Sequence, residues 1–216
     1  MRIISKILFV SLLLIHDLQV FSQDKEVKTF KSVKIGNQEW MTENLNVSTF
    51  RNGDPIPEAK TAEEWVKTGN EGKPAWCYYD NNAKNGNIYG KLYNWYAVND
   101  PRGLAPSGWH VPTDKEWTEV GLTLGGDDAA GASMKSTSGW KKPGNCTNTS
   151  GFSALPGGSR DFYGIFQYIG LSAFWWTSTQ KDNILAWYRC IDDSPYYIYR
   201  TNYRKQDGFS VRCVRD

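Results

Sequence analysis

The chain has 216 residues, of which 40% are hydrophobic and 22% are charged, so it is long and apolar enough to bury a core. The 25 basic and 23 acidic residues leave a net charge of +2, which argues against a nucleic-acid binder, because such proteins usually carry a clear basic excess. Ten Trp, 12 Tyr and 20 Gly indicate short strands and tight turns built around large flat side chains.

The N-terminus has the pattern of an export signal. Arg2 and Lys6 form a short positive region, residues 7–15 form an apolar run, and the small or modest residues 20–22 suit a signal peptidase. The apolar run is too short to span a bilayer, and a buried N-terminal helix is the weaker alternative. We therefore expect residues 1–22 to be a signal peptide. The mature protein would be extracellular or on the outer cell surface, with the periplasm as the alternative, and would have no membrane span.

The first element predicted in the mature chain is a β-hairpin. Residues 23–32 are polar and indicate a loose lead-in, and strands at residues 33–35 and 39–41 then flank a turn that contains Gly36. Further strands are predicted where short apolar or aromatic runs are separated by Gly, Pro, Asn and Asp. They are residues 75–79, 152–155, 174–179, 186–191, 196–199 and 209–214.

Three helices are predicted between these strands. Capping boxes formed by Thr61 with Glu64 and by Thr113 with Glu116 mark the starts of two of them. The apolar residues of 89–97 recur at i, i+3, i+4, i+7 and i+8, which predicts an amphipathic helix. Because no linker divides the chain after the lead-in, we expect a single α+β domain over residues 33–216.

Six separated strings occur in an order that resembles the Fibrobacter succinogenes major paralogous domain family. They are VKIGNQEWM at 33–41, YGKLYNW at 89–95, GWHVPT at 108–113, LPGGSR at 155–160, FWWTS at 174–178 and GFSVRC at 208–213. That family is similar in turn to the C-type-lectin-like fold shared with formylglycine-generating enzymes. The resemblance implies a C-type-lectin-like domain, in which two main helices pack on twisted antiparallel sheets joined by long loops, in an exported bacterial protein.

The same resemblance raises the possibility of an enzyme. Formylglycine generation requires a close pair of cysteines near the C-terminus that holds copper. Here the matching stretch contains Cys190, but the position of its partner is occupied by Ser194 or Pro195. We therefore expect no catalytic site, no cofactor and no metal site, and an oxidase related to those enzymes is the alternative. His110 is expected to be a packed histidine beside Trp109, since no second His or nucleophile motif accompanies it.

The four cysteines allow three pairings, and the sequence does not choose between them. Cys77 and Cys213 lie in stretches that match the family. The resemblance therefore implies either a disulfide between these two residues or two buried thiols.

The segment 189–204 has the composition of a recognition surface. It is rich in Tyr, Asp, Ser, Thr and Asn, which combine contact area with adaptable hydrogen bonds, as in antibody paratopes. Every residue in it can be encoded by a codon that ends in a pyrimidine. C-type-lectin-like proteins that retroelements diversify vary such codons just before the closing strand. The opposing interpretation is a hairpin whose Tyr residues alternate into the core.

We therefore predict a secreted or surface-displayed module that binds a protein or carbohydrate ligand, with a structural envelope protein as a further alternative. The predicted ligand contacts are Asp192, Ser194, Tyr196, Tyr197, Tyr199, Thr201, Asn202 and Tyr203.

Overall fold

A computed structural model describes residues 29–142, 144–194 and 196–216. The expected signal peptide and the first part of the lead-in lie outside the described residues. Within the described part, no helix is both long and apolar enough to cross a membrane.

The described residues form a mixed structure of short helices and small antiparallel sheets, which confirms the α+β class. The helices are α1 (Ala62–Asn70), α2 (Ala83–Tyr89), α3 (Trp95–Val98), α4 (Asp114–Thr123) and α5 (Ala130–Met134). The strands are β1 (Ser32–Ile35), β2 (Gln38–Met41), β3 (Trp76–Cys77), β4 (Leu92–Tyr93), β5 (Trp109–His110), β6 (Gly157–Arg160), β7 (Phe166–Ile169), β8 (Ala173–Gln180), β9 (Leu185–Ile191), β10 (Tyr199–Arg204) and β11 (Val214–Arg215).

The described strands form four antiparallel sheets. One sheet has the order β1-β2-β11-β5, so the strand near the C-terminus closes onto the N-terminal hairpin. A second has the order β10-β9-β8, with β10 at its edge. The pairs β3-β4 and β6-β7 form the two remaining sheets among the described residues. The predicted N-terminal hairpin is confirmed, with Val33 opposite Trp40.

Both predicted capping boxes are confirmed, and they begin the two longest helices. The Thr61 hydroxyl accepts a hydrogen bond from the backbone N–H of Glu64, and the Thr113 hydroxyl accepts one from that of Glu116. In each box the glutamate carboxylate accepts a hydrogen bond from the backbone N–H of the threonine. The sequence therefore located α1 and α4 correctly.

The predicted helix over residues 89–97 is wrong, because the chain turns at Gly90. This residue has φ 74°, and a Cβ on it would lie 2.8 Å from the carbonyl oxygen of Leu45. The chain then pairs as β4 with β3, and the side chain of Asn94 caps a new one-turn helix, α3. The aromatic residues of 89–97 have helical spacing because residues on both sides of the turn at Gly90 pack into the core, and not because they belong to one helix.

The strands predicted at 174–179 and 186–191 are confirmed as β8 and β9, whereas the others in the second half are misplaced. Residues 152–155 form no strand, and only Ala154 makes an isolated bridge, with Lys135. The strand predicted at 196–199 begins at its last residue and continues as β10. Of residues 209–214 only Val214 lies in a strand, β11, while Phe209 and Ser210 make isolated bridges.

Large aromatic side chains fill the core. Trp109 and Trp176, which lie in the family-like strings, and Trp117, which lies on α4, are all buried. The ring of Trp117 lies 4.7 Å from that of Trp40 and 5.7 Å from that of Trp175.

Three arginines are also buried within this core. Arg160 donates to the carbonyl oxygens of Ala59 and Gly164, and Arg212 to those of Met41 and Phe152. Because carbonyl groups satisfy these donors, the arginines stay buried and tie together segments as distant in sequence as Ala59 and Arg160 or Met41 and Arg212. Arg189 is held instead by carboxylates, described below.

Candidate functional site

A cavity of about 440 Å³ lies between the β6-β7 hairpin and the β8-β9-β10 sheet, and we call it the aromatic cavity. Its volume falls within the range of small-ligand sites. Its lining residues are Ser159, Asp161, Phe162, Tyr163, Gln167, Tyr168, Ser172, Phe174, Tyr188, Cys190, Asp192, Tyr203, Asp207 and Phe209.

The register of the sheet determines which side chains face the aromatic cavity. Phe174 is opposite Cys190, which is opposite Tyr199, and Tyr188 is opposite Thr201. Because side chains alternate along a strand, these residues share one face of the sheet. We call this the cavity face.

Closely packed rings make the wall of the aromatic cavity. Phe209 lies between two of them, with ring centroids 5.2 Å from Phe174 and 4.7 Å from Tyr188. On the hairpin side, Tyr168 approaches Phe174 to 5.8 Å. Tyr168 is half exposed and has φ 68°, a backbone conformation that bulky residues rarely adopt. Strain of this kind is often found at functional sites.

The charged groups that line the aromatic cavity are carboxylates. Among the described lining residues, Asp161, Asp192 and Asp207 are acidic and none is Lys, Arg or His. Asp161 organises the β6-β7 turn, since its carboxylate accepts hydrogen bonds from the backbone N–H groups of Tyr163 and Ile165 at 3.0 and 2.9 Å.

Asp207 lies in the turn after β10 and is 1% exposed. Its Oδ2 atom is buried and has no hydrogen-bond partner among the described residues. Loss of hydration raises the pKa of Asp207 to about 8, and the negative charge of Asp161 adds to this effect, while Arg204 opposes it. The carboxyl group therefore takes up a proton far more readily than an exposed aspartate does.

Part of the predicted contact set meets at the aromatic cavity. Asp192 and Tyr203 line it, and Tyr199 and Thr201 lie on the cavity face. Tyr199 and Tyr203 are 40% and 45% exposed, so their rings are available to a ligand.

The rest of the predicted set lies outside the aromatic cavity. Asn202 is on the opposite face of β10, where it accepts a hydrogen bond from Lys181. The Tyr196 hydroxyl accepts one from Asn145. Tyr197 stacks near Tyr199, with ring centroids 5.8 Å apart. Ser194 lies in the preceding turn, where its backbone N–H donates to the carboxylate of Asp192.

Sequence reasoning missed the half of the aromatic cavity that comes from β6, β7 and the turn between them. The available signal was the aromatic and acidic content of residues 161–168 beside the family-like string at 155–160. The sequence does not show that this segment faces residues 188–207, because that contact depends on tertiary packing.

The cysteines do not form a metal or disulfide site in the described structure. Cys77 and Cys213 are buried thiols in different core clusters, and loss of hydration raises the pKa of each to about 12. Burial also raises the pKa of Cys190 in the cavity wall. Among the described residues, no group of three or more His, Cys, Asp or Glu side chains could hold a metal ion.

Two clusters outside the aromatic cavity have structural roles. His110 is half exposed, and its ring nitrogens lie 2.8 Å from a Glu116 oxygen and 2.7 Å from an Asp216 oxygen. Burial lowers the pKa of His110, but these two carboxylates outweigh that effect and raise it. Arg189 is fully buried, and Asp114 and Asp127 pair with it at 3.1 and 3.4 Å.

A family profile described as the Fibrobacter succinogenes major domain matches residues 33–215. The chain belongs to this family. The match begins in β1 and ends in β11, so the Fibrobacter succinogenes major domain of this chain includes the whole aromatic cavity and the predicted contact set. No curated protein and no solved structure gives a match to the chain.

Proposed function

We propose that this Fibrobacter succinogenes major domain is an exported ligand-binding module of C-type-lectin-like fold. It binds part of a protein or carbohydrate ligand in the aromatic cavity and on the adjoining cavity face of β10. The observation that carries the proposal is the convergence of exposed tyrosines, a rigid ring wall and polar groups around one opening of small-ligand size.

The arrangement separates a buried scaffold from an exposed edge. β8 and β9 have one exposed residue between them, whereas β10 is an edge strand with four of its six residues exposed. Edge and loop residues can change with little effect on the core, which suits recognition. The codon pattern of residues 189–204 agrees with diversification by a retroelement, since the segment includes all of β10.

The same geometry gives less support to the alternatives. Of the four cysteines, only Cys190 lines the aromatic cavity, so the lining offers no thiol pair for a copper oxidase. A structural envelope protein has no need of an open cavity with exposed aromatic rings. We therefore favour the binding module over both.

Screening of glycan and protein arrays with the folded domain, followed by two variants, tests this proposal. Tyr203→Ala removes a ring of the aromatic cavity, and Leu122→Ala removes an even more exposed apolar group on α4, outside the cavity. We expect the first variant to weaken binding by about tenfold or more, as truncation of an aromatic anchor does, and the second to bind like the wild type.

Tyr197→Ala extends the same test to the loop before β10, which contains part of the predicted contact set. A loss with Tyr197→Ala and not with Tyr203→Ala would place the ligand on the loop before β10. Binding that survives both substitutions in folded protein would disprove the proposed site.

A further inference from the structure

We infer that the aromatic cavity accepts a positively charged ammonium group of its ligand, held beside the Asp207 carboxyl group and among the surrounding rings. This inference rests on the proposed function and adds the chemical class of the group that enters the cavity.

The charge of the lining favours a cation. Three aspartates line the aromatic cavity, and none of its described lining residues is basic. Arg204, whose positive charge acts on Asp207, has its guanidinium 4.4 Å from the Phe162 ring and is not part of the lining. The effect of Asp161 on Asp207 is larger than that of Arg204, so a positively charged group that enters the cavity meets carboxyl groups that Arg204 offsets only in part.

The unpartnered Oδ2 atom of Asp207 is the second, independent observation. A buried polar atom without a hydrogen bond is unfavourable, and such atoms are rare in folded proteins. A primary ammonium group beside this carboxyl group would supply the missing hydrogen-bond donor, and any cation there, quaternary ammonium included, would stabilise its ionised form. A neutral ligand group would give the ionised form no such stabilisation.

The ring wall supplies the third element of the site. Seven of the lining residues are Phe or Tyr, and aromatic faces attract ammonium groups within about 6 Å. The combination of aromatic faces with a carboxylate is therefore suited to quaternary ammonium groups as well as to primary amines. Ser159, Gln167 and Ser172 provide polar contacts for the remainder of the ligand.

The direct test uses choline and its neutral isostere 3,3-dimethylbutan-1-ol as probes. Titration calorimetry and NMR would follow binding to the folded domain at about pH 9, above the pKa of about 8 for Asp207. We expect choline to bind at least about tenfold more tightly than the isostere, because only choline carries the charge. n-Butylamine, run in parallel, shows whether a primary amine or a quaternary group is preferred.

Four variants identify the groups responsible. Asp207→Asn should weaken choline binding by at least about tenfold, whereas Leu122→Ala, outside the cavity, should leave it unchanged. If Asp207→Asn fails to fold, Tyr203→Phe and Tyr203→Leu provide the test: the ring-preserving variant should retain choline binding and the aliphatic one should lose it.

Equal binding of choline and 3,3-dimethylbutan-1-ol, or no binding of choline and n-butylamine, would overturn the inference. If the array ligand still depends on Tyr203 in that case, the proposed function survives and the ligand group is neutral. If no ligand depends on residues of the aromatic cavity, the proposed function fails as well.

Discussion

The Asp207 carboxyl group links the stability of the fold to the aromatic cavity. Its pKa is about 8 in the folded protein, whereas an exposed aspartate has a pKa of 3.8. The folded state therefore binds this proton more tightly than the unfolded state does. Its contribution to stability is complete below about pH 4 and is lost progressively as the pH rises to about 8.

We expect Asp207→Asn to remove this pH dependence. Relative to the variant, the free energy of unfolding of the wild type should fall between about pH 4 and pH 8, by up to about 1.4 kcal/mol per pH unit. Urea denaturation at a series of pH values measures the difference. Asp128→Asn, at an exposed position, is the control and should give a difference that does not vary with pH. Parallel pH profiles for wild type and Asp207→Asn would contradict the prediction.

The sequence indicated the surroundings of some residues better than those of others. The positions of Trp109 and Trp176 in family-like strings, and of Trp117 on an apolar helix face, agree with their burial in the core. His110 is different, since its partner Asp216 is 106 positions away and becomes a neighbour only when β11 pairs with β5. No local pattern in the sequence reports such a contact.

At the scale of elements, α4 has a buried face that stabilises the fold and an exposed face that contributes little to stability. Its first turn is fixed by the Thr113–Glu116 capping box, and its buried face carries Trp117 and Val120. Leu122 lies on the other side and is 68% exposed. Two substitutions on the same helix should therefore have very different effects.

We expect Trp117→Ala to lower the free energy of unfolding by about 3–5 kcal/mol, because it removes a fully buried ring from contact with Trp40 and Trp175. Leu122→Ala should change it by no more than about 0.5 kcal/mol. Chemical denaturation of both variants measures the two values. Similar losses for the two would show that the buried face of α4 has been assigned incorrectly.

Local sequence signals predicted an element well where a few neighbouring residues mark its start or its turn. Capping boxes located α1 and α4, and the turn at Gly36 located the first hairpin. The helix predicted over 89–97 failed because aromatic spacing in the core imitated helical periodicity across the turn at Gly90. The β6-β7 hairpin was missed because its first strand contains Gly157 and Gly158, which have low strand propensity.

At the scale of the whole molecule, four of the eight predicted contact residues lie at the candidate site, but only two of them, Asp192 and Tyr203, are among the 14 residues that line the aromatic cavity. Asp192, Tyr199, Thr201 and Tyr203 were identified by composition, and they meet at the aromatic cavity or on its face. Asp161 and Asp207 were not identified, since a lone aspartate carries no sign of burial or of a missing partner. Tertiary packing brings the β6-β7 turn against the end of β10 and thereby creates the acidic lining.

Export is the whole-molecule property that remains a prediction, and its source is the segment 1–22, outside the described residues. The positive start, the apolar run and the modest residues 20–22 predict cleavage after Ser22. A binding module that acts at the cell surface requires this step, and the buried state of Cys77 and Cys213 would protect their thiols in an oxidising compartment.

We expect mass spectrometry of protein from the native envelope or medium to give a mature chain that begins at or near Gln23. Leu13→Arg places a charge inside the apolar run and should leave full-length protein in the cytoplasm, while Leu13→Ile preserves the run and should be exported and cleaved as the wild type is. Exported protein that retains Met1 to Ser22 would contradict the cleavage prediction. Export of the Leu13→Arg variant at the wild-type level would show that this apolar run does not direct export.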